Sequence, residues 1–204
     1  MISMLILAVT LKASTAGDFF PLKPGSTFTY EEKGSSVQLT RTIGDALDMG
    51  GVTVTPITDR TIGSSAATTY YRVDSDQVLI VGYDVKHMMV TPMPLFKVGS
   101  DKVTWDYSGT TKTGPEGERL LARGESHAAG QREVLGKKVD VIEVKQQTLL
   151  GVGMSSETFE QKMIFGRGIG LIEWTNKTTL GNNKKKSNVS TYRLIDIQEP
   201  KPSR

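Results

Sequence analysis

The chain has no cysteine and only 2 histidines among its 204 residues. The first absence removes disulfides, thiolate zinc sites, iron–sulfur clusters, a cysteine nucleophile and a lipid-modified cysteine anchor. The second leaves little imidazole for metal ligation or general-base chemistry. Aromatic residues are 7% of the chain, and neither sign of charge dominates: 25 Lys and Arg face 22 Asp and Glu, a net +3. A balance this even does not make the basic face of a nucleic-acid binder, so nucleic acid is not an expected partner. Long apolar runs are absent too. The longest, Met4 to Leu11, has eight residues, too few to cross a bilayer, and no integral membrane segment is expected beyond it.

That run is followed by Lys12 and then by Ala13, Ser14, Thr15, Ala16 and Gly17. Small residues after an apolar stretch read as a leader with a cut after Ala16, although no positive region precedes the run. The expected organisation is therefore a signal peptide over 1–16, one domain over 17–204, and a periplasmic or secreted location.

What fills the rest is period-two patterning. Phe28 and Tyr30 alternate with threonines, Val37, Leu39, Arg41 and Ile43 alternate with Gln38, Thr40 and Thr42, and Val52 and Val54 alternate with Thr53 and Thr55. The same rhythm continues from Thr69 through Gln198, for about eleven strands in all. Turn chemistry separates them, as at Lys33-Gly34-Ser35-Ser36, Met49-Gly50-Gly51, Gly114-Pro115-Glu116-Gly117 and Gly181-Asn182-Asn183. Short links make neighbours antiparallel. The best helical windows, Ile43 to Met49 and Ala128 to Leu135, are interrupted by glycine or charge, so very little helix is expected. The pattern predicts an all-β single antiparallel meander forming a curved sheet, half-barrel or barrel. The apolar register slips by one near Ile142, which predicts a bulge there. Val78 to Val81 is apolar on both faces and predicts a strand covered on both sides.

Val85 to Gly99, with His87, Met88, Met89, Met93 and Phe96, reads as an apolar, Met-rich loop that caps the core or meets a partner. Thioethers beside an imidazole suit Cu(I), but the spacing is not that of a metal site and no metal is expected. Gly166-Arg167-Gly168-Ile169-Gly170 lacks the helix a phosphate loop requires and reads as a tight link between strands. Gly151-Val152-Gly153 is another turn. Lys184-Lys185-Lys186 reads as a solvated hairpin tip. Asn176-Lys177-Thr178 and Asn188-Val189-Ser190 match the glycosylation triplet, which matters only in a eukaryotic secretory pathway. Glu125 and His127 share a strand face while Ser126 points away, and no nucleophile elbow or carboxylate pair appears elsewhere. No enzymatic activity and no cofactor are expected.

Phe20-Pro21-Leu22-Lys23-Pro24-Gly25 leading into Thr27-Phe28-Thr29-Tyr30, together with Phe165 to Glu173, resembles a diffuse set of exported bacterial β-meander proteins of unknown function. Those are similar in outline to the half-barrels that carry lipoproteins through the periplasm, from which this chain departs in having no evident lid helix. The resemblance implies a concave sheet face able to hold an acyl chain. A curved sheet would place Phe28, Tyr30, Tyr71, Trp105, Tyr107 and Trp174 on such a face, with Met88, Met89, Met93 and Phe96 at its margin. The leading expectation is a non-enzymatic envelope protein holding an apolar, lipid or glycan ligand there. The alternative is a structural module that contacts another envelope protein through sheet edges and the 85–99 segment.

Overall fold

The computed structural model describes residues 14–84, 87–111, 117–151, 156–180 and 187–200. The apolar run at 4–11, the expected turns at 114–116 and 152–153, and the expected tip at 181–186 lie outside the described residues.

After one short helix, α1 (Ala16–Phe19), the chain is strand: β1 (Thr27–Glu32), β2 (Gln38–Ile43), β3 (Leu47–Asp48), β4 (Thr53–Thr61), β5 (Ala67–Val73), β6 (Gln77–Gly82), β7 (Met88–Lys97), β8 (Val103–Thr110), β9 (Arg119–Val134), β10 (Lys137–Leu150), β11 (Glu157–Gly166), β12 (Gly170–Leu180) and β13 (Ser187–Gln198). The sheet runs β7-β6-β5-β4-β2-β1-β13-β12-β11-β10-β9-β8, with β3 paired to β4 beside it. Every pairing is antiparallel. The two ends of this order, β7 and β8, meet at a single bridge between Met89 and Thr111, so the sheet is a nearly closed barrel. No helix among the described residues is long and apolar enough to cross a membrane.

The all-β meander expected from alternation is present, with two strands beyond the eleven. One is the two-residue β3. The other is β7, which corrects the reading of 85–99 as a loop: Met88 to Lys97 is strand, with Val85 and Lys86 outside the described residues. Pro92 and Pro94 concealed it, because proline removes a ladder donor. An end position in the sheet order tolerates that loss. The helical candidate Ala128 to Leu135 proves to be the far half of β9. The slip near Ile142 is a bulge between Asp140 and Ile142 in the β9–β10 ladder. β6 is buried at Val78, Leu79, Ile80 and Val81. One of its faces joins the main core and the other a small cluster of Val54, Tyr70 and Val81 with Met49, Val52 and Met88. Gly166 to Gly170 is the β11–β12 hairpin turn, in which Gly168 adopts φ 72°.

The main core draws buried side chains from every strand except β3. Phe20 lies 5.1 Å from Tyr71, 6.2 Å from Phe96 and 6.0 Å from Phe165, ring centre to ring centre. Phe96 and Phe165 are 4.7 Å apart. Such tilted ring pairs add attraction beyond the area they bury.

Candidate functional site

Directly paired residues of an antiparallel ladder project from the same face, so register assigns each side chain to the inside or the outside. Inside, β1, β2 and β4 align Phe28, Arg41 and Asp59 in one row. Arg41 donates Nε and Nη2 to the two Asp59 carboxylate oxygens at 2.7 Å each. Burial opposes the Arg41 charge, but the Asp59 carboxylate outweighs that and raises its pKa. Its guanidinium carbon lies 5.8 Å from the centre of the Tyr30 ring, and Tyr30 Oη donates to the Leu171 carbonyl at 2.9 Å. Burial pushes Tyr30 up to about 12 against the pull of Arg41. A cavity of about 20 Å³ remains beside Tyr30, Arg41, Phe28 and Ile57, room for one water.

Of the aromatic and methionine residues expected to line a concave face, Phe28, Tyr30, Tyr71, Met89, Met93, Phe96 and Trp105 are buried core residues. Tyr107 and Trp174 are half-buried against that core, and Met88 belongs to the smaller cluster. Trp174 stacks on Tyr192 at 5.4 Å. The inside of β8 to β12 also carries polar atoms. Trp105 Nε1, Gln146 Oε1, Trp174 Nε1 and Asn176 Oδ1 are buried with no hydrogen-bond partner among the described residues.

The open concavities are elsewhere. One of about 890 Å³ crosses β8 to β13. Its walls are two outward rows set by register, Asp106, Arg123, Gln147, Glu160, Lys177 and Val189 in one and Thr104, Glu125, Lys145, Lys162 and Thr175 in the other. The backbone of Trp105, Gly124, Gln146 and Gln161, the row between them, forms its floor. Cross-strand carboxylates neutralise lysines of the walls, while Arg123 bonds the uncharged Gln147. Lys102 meets Glu125 at 2.5 Å, Lys162 meets Glu143 at 2.9 Å, Arg123 donates to Gln147 at 3.0 Å and Lys177 meets Glu160 at 3.2 Å. The Lys102 bond holds the Glu125 carboxyl below its ordinary range. For Glu143, burial works the other way but is outweighed by Lys162 and Lys145, and the net shift is downward. A second hollow, of about 390 Å³, shares Asp106, Arg123 and Gln147 and adds the apolar pair Leu121 and Leu149.

The chemistry weighed from sequence is placed as follows. His87 Nδ1 bonds the Asp84 carboxylate at 2.5 Å within its own turn. His127 and Glu125 lie on the outward face without bonding each other, while Ser126 points inward and donates to the Lys97 carbonyl. Ser126, His127, Asp101 and Asp140 do border one cleft of about 290 Å³, yet His127 Nδ1 has no partner there. No group of three or more metal-ligating side chains occurs among the described residues.

No family model matches the chain, and no curated protein does. Two solved structures are similar to it over most of its length. A candidate lipoprotein from Parabacteroides distasonis matches with 10% identity and a TM-score of 0.48, over 92% of this chain and 100% of that one. A candidate exported protein with a YmcC-like fold from Bacteroides fragilis matches with 13% identity and a TM-score of 0.44, over 89% of this chain and 99% of the other.

Proposed function

We propose that the chain is an exported, non-catalytic binding protein of the bacterial envelope that takes a polar ligand, a glycan, in the outer groove across β8 to β13. The observation that carries this reading is the contrast between the two faces. The inner aromatics are packed into core, whereas a groove of about 890 Å³, within the range of ligand sites, is open on the outside. The unpartnered polar atoms of Trp105, Gln146, Trp174 and Asn176 on the inner face do not suit an acyl chain, which can bond none of them. Sugar hydroxyls both donate and accept, and so suit walls that carry the Gln147 amide, the Arg123 guanidinium and lysine–carboxylate pairs. Leu121 and Leu149 offer an adjoining apolar shelf for a ring face.

The test is a glycan array probed with the purified chain, followed by calorimetry on the best binder. Binding that Arg123→Ala and Gln147→Ala each weaken at least tenfold, at unchanged melting temperature, is the expected result. No bound glycan, or binding indifferent to both substitutions, removes the reading.

A second reading rests on the seam between β7 and β8, where a partner strand could add to the sheet edge. Among the described residues the seam holds one backbone bridge and the Tyr107 hydroxyl, which donates to the Thr91 carbonyl at 2.6 Å. An envelope protein that crosslinks to a photoreactive residue at position 91, with no glycan found, selects this alternative.

A further inference from the structure

The stretch that looks most like a leader cut is built into the fold. Ala16 has no exposed surface, and its N–H donates to the Ser75 carbonyl in the β5–β6 turn at 3.0 Å. Thr15 N–H donates to the Asp18 carboxylate at 2.9 Å, and the Asp18 carbonyl accepts from Gly168 N–H in the β11–β12 turn at 2.6 Å. Arg167, from that same turn, bonds the Ser14 hydroxyl and holds its guanidinium carbon 5.2 Å from the centre of the Phe19 ring. Phe19 and Phe20 are 4% and 6% exposed and enter the core. The segment therefore ties two turns from opposite halves of the chain across one end of the barrel, and its side chains plug that end. Here the small residue that would precede the cut is helical and enclosed.

We propose that the mature domain keeps Ser14, Thr15 and Ala16: no leader cut falls between Ser14 and Phe20, and the small residues before Gly17 serve as a barrel plug instead of a processing site. A cut after Ala16 would delete the Ser14 and Thr15 bonds. It would also remove Ala16 itself, with its bond to the Ser75 carbonyl, and leave its enclosed site empty.

Intact mass and N-terminal sequencing of the full chain exported by its own host decide the point. A first residue at Ser14 or anywhere before it, the uncut chain included, is the expected result. A first residue at Thr15 or later overturns the proposal. Two purified chains, one starting at Ser14 and one at Gly17, supply an independent reading. The shorter is expected to melt at least about 5 °C lower, the size of shift that loss of a few buried bonds produces in a domain of this length. Equal melting temperatures would overturn the role of the plug.

Discussion

Arg41 occupies a position that strand alternation reserves for an apolar side chain. The sequence shows this much, because Leu39, Arg41 and Ile43 share a face, and an inward arginine demands a counterion. The identity of that counterion lies in the ladder, since only the β2–β4 register brings Asp59 opposite. Asp59→Ala is expected to cost about 3–5 kcal/mol, because it leaves a buried guanidinium unpaired. Replacing both residues by leucine should cost far less, and urea unfolding of the two variants makes the comparison. Tyr30 gives a pH signature at the same place. Its hydroxyl ionises near 10 in the unfolded chain and near 12 in the fold, so the stability it contributes is complete below pH 10 and drains away between pH 10 and 12. Tyr30→Phe should lower stability by about 1 kcal/mol at neutral pH through loss of the Leu171 bond, and should flatten the alkaline limb of the stability curve. An unchanged alkaline limb would show that other tyrosines govern it.

Among the elements, the β9–β10 hairpin carries a visible local conflict. Leu135 and Gly136 form a two-residue turn with φ 49° and 75°, the geometry that favours asparagine followed by glycine. Leu135 is the non-glycine residue that takes a positive φ among those described, and it is 47% exposed, so little packing repays the strain. Leu135→Asn should raise stability by about 1 kcal/mol, measured as a higher melting temperature with the spectrum unchanged. In the same hairpin, Gly124 lies under the Trp105 indole, where any Cβ would collide with the ring; Gly124→Ala should displace Trp105 and destabilise the β8–β9 pair. Most elements were legible because alternation is a local signal. β7 was not, since its prolines and clustered methionines break the rhythm that marks a strand. The outer groove was equally hidden. Arg123, Gln147, Glu160 and Lys177 are far apart in the chain and become neighbours only through three successive pairings.

The whole molecule is a meander whose strands β1 and β13 pair from Thr27 with Gln198 to Glu32 with Tyr192, through one register shift between Thr29 and Tyr30. The gap in the cylinder instead falls between β7 and β8, which follow one another in sequence. Contacts between β1 and β13 can form only once the last strand exists, so folding should be slow, on a scale of milliseconds to seconds. Opening should begin at the other place. A ladder row breaks only with its neighbours, whereas β7 is held on its seam side by the Met89–Thr111 bridge and by isolated side-chain bonds, from Tyr107 to Thr91, Ser126 to Lys97 and Gln146 to Pro94. In native-state hydrogen exchange, the amides of β7 around position 89 should therefore exchange well before those linking β1 to β13. Tyr107→Phe sharpens the contrast. It removes the bond to Thr91 without touching the ladder, so exchange at the seam should quicken while the slowest amides of β1 and β13 keep their rates to within about threefold. Uniform acceleration across all the strands would mean that the cylinder opens as one unit and that the seam is no weaker than the rest.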